Sequence, residues 1–126
     1  MSHQDTYLVK LTDAIARQLG QLADRLSQLP PPEAAQIMAR VVDPEDGVLG
    51  EVIHLFVTGS RVAKDQAEQG VLPPEVWLAV GRAANELHDI ALALDEHHDT
   101  LKHAGSPPAA ASWPPAPAPL VVRRRR

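Results

Sequence analysis

Two carboxylate–histidine pairs are the residues of this chain best placed to do chemistry. Glu51-x-x-His54 and Asp95-x-x-His98 each set a carboxylate and an imidazole one helical turn apart. Dinuclear metal sites in helical bundles use this spacing, together with an inward carboxylate from each of two further helices. On a helix, His54 falls opposite Phe56 and on the same side as Thr58, Arg61 and Asp65. That polar company turns Glu51 and His54 toward solvent. His98 falls between Leu94 and Leu101 on an apolar stripe, the place of a packing residue. A metal-dependent helical-bundle enzyme therefore ranks third among the functions considered, and no metal ligand is assigned.

Other catalytic signals are absent from the sequence. Ser2, Ser27, Ser60, Ser106 and Ser112 have no neighbouring elbow or base of the kind a nucleophile requires. Gly47-Val-Leu-Gly50 and Gly59-Ser60 are not followed by Lys at phosphate-loop spacing. There is no Cys, which excludes disulfides and thiolate metal sites. The expectation is a non-enzyme without a cofactor.

Charge is unevenly spread. All 16 acidic residues lie between Asp5 and Asp99, and residues 1–105 hold only eight basic ones, so this body carries −8. The other four bases are Arg123, Arg124, Arg125 and Arg126. A helix-turn-helix reading of residues 32–69 would lead into the groove with Asp43, Glu45, Asp46 and Glu51. Recognition helices contact bases with their first residues, so those charges oppose it. Nucleic acid is left only the tail, where Arg123–Arg126 are expected to make weak, sequence-independent contact with it or with an anionic membrane surface. Trp113-Pro-Pro-Ala-Pro117 is a second tail feature, an extended segment with an aromatic anchor. GC-rich codons alone also yield a Pro/Ala/Arg tail.

Apolar spacing predicts the elements that position these groups. Leu8, Leu11, Ile15, Leu19, Leu22, Leu26 and Leu29 recur every three or four residues and predict a helix over Asp5–Leu29, ended by Pro30-Pro31-Pro32. A short helix is expected over Pro32–Val42, with Ile37, Met38, Val41 and Val42 on one side. Asp43 as N-cap and Pro44 at the first helical position predict a third helix over Pro44–Gln69, closed by Gly70. Its apolar face is Leu49, Val52, Ile53, Phe56, Ala63 and Ala67. The β-branched run Val52–Thr58 leaves a strand open as an alternative there. Leu72-Pro73-Pro74-Glu75 opens a fourth helix expected to run unbroken to Ala104. Its seam is Trp77, Val80, Ala84, Leu87, Ala91, Leu94, His98 and Leu101.

The chain therefore reads as all-α: residues 1–104 form a mainly antiparallel helical bundle of three longer helices and one short. A disordered Pro/Ala/Arg tail is expected over residues 105–126. Met1–Asp5 has no leader pattern and no apolar run is long enough for a membrane span, so a cytoplasmic location is expected. A fourth helix of this length would overhang its neighbours. That favours a non-enzymatic interaction or scaffolding protein, self-associating into a homo-oligomer, or binding another helical protein, through this seam. A nucleic-acid accessory protein acting through the tail is the alternative.

Overall fold

Prolines and glycines mark most of the helix boundaries in the computed structural model, which describes residues 3–105. About 83% of those residues are helical, and none of them lies in a strand. The order is α1 His3–Leu26, α2 Pro31–Val42, α3 Val48–Glu68, α4 Pro74–Asp95 and α5 His98–Ala104. Val52–Thr58 is helical, so the spacing on either side outweighs its β-branched content.

α1 ends three residues before the expected Leu29. Gln28 and Leu29 donate their amides to the Arg25 and Leu26 carbonyls, a tightening of the last turn ahead of the prolines. Pro30 is extended at φ −60°, ψ 152°, and Pro31 and Pro32 start α2, where a missing N–H is harmless.

α3 begins at Val48 rather than Pro44. The Asp43 carboxylate does accept amides in the expected way, from Glu45 at 2.9 Å and Asp46 at 3.2 Å. It closes a separate turn, because Gly47 is extended and interrupts the helical backbone. A Cβ on Gly47 would overlap the carbonyl oxygen of Arg40. Only glycine lets the turn lie that close to the end of α2.

The α3–α4 connection is a Schellman motif. Gly70 takes φ +79°. Its amide donates to Ala67, and the Val71 amide donates to Gln66 at 2.8 Å. Gln66 and Ala67 thereby find partners for carbonyls the helix end would leave unpaired.

The expected fourth helix is two helices. α4 stops at Asp95, and Glu96 and His97 form a turn in which the His97 amide donates to Leu94 at 2.9 Å. Ala91-Leu92-Ala93-Leu94 gives way here to Asp95-Glu96-His97-His98-Asp99-Thr100. His, Asp and Thr are weaker helix formers, so a bend there loses little. α5 folds back along α2, with His98 near Arg40 and Asp43 at one end and Gly105 against Gln36 at the other. Gly105 therefore belongs to the bundle.

α3 and α4 form an antiparallel pair, with Ser60 beside Gly81 and Lys64 beside Trp77. Their facing residues are the expected ones. Ala63, Ala84 and Ala91 are buried, and Phe56, Trp77, Val80, Leu87 and Leu94 are half-buried. The core is thin. Its buried residues are Ala39, Val42, Ala63, Ala84 and Ala91, and no large side chain is fully enclosed among the described residues.

α1 departs most from the expectation. It was placed in the bundle, yet none of its residues is buried and it makes at most glancing contact with α2–α5. The bundle is α2–α5, and α1 stands apart from it.

Candidate functional site

The histidine pairs assemble no centre. The His54 Nδ1 lies 3.6 Å from Glu51 Oε1, both side chains being mostly exposed, and this is a surface pair one turn apart. Asp95 and His98 fall on two different helices. The Nδ1 of His98 instead lies 3.9 Å from Asp99 Oδ1. Among the described residues no group of three or more His, Asp or Glu could hold a metal ion.

One polar cleft of about 490 Å³ opens between α2 and α5, lined by Gln36, Ala39, Arg40, Asp43, Asp46, His98, Lys102 and Gly105. Asp43 has its carboxyl held below the ordinary range. The backbone amides of Glu45 and Asp46 are the main cause, and the charge of His98 contributes less. This carboxylate is committed to the turn. Its charged lining combines Arg40, Asp43 and Asp46 from α2 and the turn after it with His98 and Lys102 from α5. The sequence signal for it was Asp43 alone, because the bend that brings His98 there is not visible in the apolar spacing.

The proposed seam residues share one face, as expected, and that face is in use inside the molecule. Trp77, Val80, Ala84, Leu87, Ala91 and Leu94 line the side of α4 turned to α3, while His98 and Leu101 are carried round the bend toward α2. The Lys64 ammonium lies 5.6 Å from the centre of the Trp77 ring, a cation–π contact. Trp113 and Arg123–Arg126 lie outside the described residues.

Large apolar side chains are exposed on the bundle, at Leu55, Val62, Leu78, Ile90 and Leu92, and along a stripe of α1. Leu8 is 47% exposed, Leu11 40%, Ile15 45% and Leu19 42%. These four lie on one stripe, continued by the half-buried Leu22 and Leu26. The sequence displayed the stripe but not its isolation, since a 3–4 repeat states that a face needs covering and not what covers it.

Compared with protein-family models, with curated proteins and with solved structures, the chain matches none. No helix among the described residues is long and apolar enough to cross a membrane.

Proposed function

We propose that this chain is a non-enzymatic, cytoplasmic helical interaction protein that self-associates, with α1 as its association surface. The observation that carries the reading is the uncovered stripe Leu8–Leu11–Ile15–Leu19 on a helix that stands apart from the bundle. Covering what remains exposed of such side chains is worth roughly 1 kcal/mol each. An isolated helix is marginal in water unless packing supports it. α1 also contains Gly20 and the β-branched Thr6, Val9, Thr12 and Ile15, which makes support from a partner more important. The seam on α4 is a poorer surface than α1, because it already faces α3.

The test is deletion of residues 1–26. Light scattering of the full chain should give a mass above the monomer at micromolar concentration. The deleted chain should be monomeric and keep the helicity of α2–α5. Association that survives the deletion would defeat this reading.

The basic run Arg123–Arg126 supports a second reading, a nucleic-acid accessory role through the tail. Residues 27–105 hold thirteen acids against five bases, net −8, so the tail would have to supply all the binding.

A further inference from the structure

We propose, building on the reading of α1 as the association surface, that its occupant is α1 of a second copy, laid antiparallel about a two-fold axis at Ile15. The stripe reads the same from either end of that residue. Leu11 and Leu19 each lie four positions away, and Leu8 and Leu22 each lie seven. On a helix, Leu8 and Leu22 fall about 20° to either side of Ile15, and Leu11 and Leu19 about 40°. A two-fold axis perpendicular to both helices sets Leu8 against Leu22 of the second copy, Leu11 against Leu19, and Ile15 against itself. Each layer is staggered left and right, as interdigitating side chains require, and the same patch serves both copies. Thr12 lies beside the stripe, and its hydroxyl already donates to the Leu8 carbonyl at 2.8 Å. It enters the contact with no orphaned donor.

Charge favours this arrangement over a parallel one. α1 is neutral, with Asp5, Asp13 and Asp24 against Lys10, Arg17 and Arg25. Four of these, Lys10, Asp13, Arg17 and Asp24, fall on the side turned away from Ile15. Everything beyond α1 in the described chain carries the net −8. Parallel pairing would bring both acidic bundles to the same end. Antiparallel pairing separates their attachment points by about 36 Å, the length of the 24-residue helix and several Debye lengths at physiological salt. A parallel heptad seam would also run through Leu8, Thr12, Ile15, Leu19 and Leu22, leaving Leu11 on the flank. Two helices of this length in contact throughout bury on the order of 1,000 Å², the lower bound of a specific interface.

The chain has no cysteine, so single thiols report the geometry directly. Full-length Leu8→Cys and Leu22→Cys are mixed in equal amounts and oxidised gently. A mixed Leu8–Leu22 disulfide dimer should dominate, with little cross-linking of either variant alone. Self-cross-linking of each variant, Leu8 to Leu8 and Leu22 to Leu22, would overturn the antiparallel arrangement while leaving association through α1 standing. The unmodified chain should have a dimer mass, and a monomer mass at the highest concentration reached would overturn self-pairing. Ile15→Asp should give a monomer whose bundle unfolds at the unchanged temperature, since Ile15 is exposed and outside the bundle. A dimer that survives Ile15→Asp, or one without the Leu8–Leu22 cross-link because α1 docks on the other copy's bundle, would also overturn the proposal. So would a helix that pairs with nothing but binds anionic vesicles.

Discussion

Gly47 lies against Arg40 so closely that a side chain of any size would overlap the Arg40 carbonyl oxygen. This approach joins the Asp43 turn to the end of α2 and aims α3. Gly47→Ala should therefore destabilise the bundle by about 1–3 kcal/mol, the usual penalty for forcing atoms into filled space. Gly59 makes the natural control, since a Cβ there meets nothing within 4 Å in mid-α3. Gly59→Ala should stabilise by about 0.5–1 kcal/mol. Urea midpoints of the two variants should move in opposite directions. Equal shifts would mean that the α2–α3 turn relaxes freely.

The Asp43 carboxyl gives the turn a pH dependence whose sign follows from its lowered pKa. The ionised form holds the Glu45 and Asp46 amides in the folded chain and titrates near 3.9 when unfolded. Its contribution is fully present above that value and is lost as pH falls toward the lower folded one. Asp43→Asn keeps an oxygen acceptor without the titration. Its thermal midpoint should fall less steeply than that of the parent protein between about pH 5 and pH 2. Parallel curves would show that other carboxylates carry the acid response.

His98 should behave as a packing residue. It is half-buried on α5 and lines the cleft between α2 and α5. An imidazole in such a place needs partners for both ring nitrogens, and Leu does not. His98→Leu should be neutral or stabilising, with midpoints unaffected by added divalent metal in either protein. Metal-induced stabilisation that His98→Leu abolishes would restore a ligand role.

The basic run at the end of the chain sets a limit on nucleic-acid binding. Removing residues 106–126 should leave the thermal midpoint of the bundle unchanged and abolish any DNA or RNA affinity. With four arginines neutralising four phosphates, log affinity against log salt should fall with a slope no steeper than about −4. Binding that persists without the tail would place a basic surface on the bundle.

Particular residues show where the sequence was legible. Val80, Ala84, Leu87 and Ala91 share the α3-facing side, as their spacing predicts, and Pro30, Pro73 and Gly70 mark ends of helices. The bend at Glu96–His97 was hidden because the apolar interval of three and four residues continues through Leu94, His98 and Leu101, although His97, at φ −105° and ψ 1°, leaves helical geometry and turns the last two toward α2. Asp43 caps a turn, as its residue type predicts, but that turn precedes α3, because Gly47 decides where α3 starts. The isolation of α1 could not be read at all. Leu8 and Leu87 look alike in spacing, and only tertiary contact separates the covered stripe from the open one. The polar cleft was equally invisible, since Asp43 and His98 meet only after α5 folds back.

The pairing of α2 with α5 encloses the whole α3–α4 hairpin in sequence, and this has a kinetic consequence. The hairpin closes across the short Gly70 turn at small loop entropy, so it can form early from local contacts. Bringing Gln36 to Gly105 requires the rest of the bundle to be in place first. α5 is a seven-residue helix with no buried residue, held at that late-closing junction. It is therefore the segment of the α2–α5 bundle to detach first in the native state, on a shorter timescale than global unfolding. Its amides should exchange with solvent well ahead of those at the centre of α3 and α4.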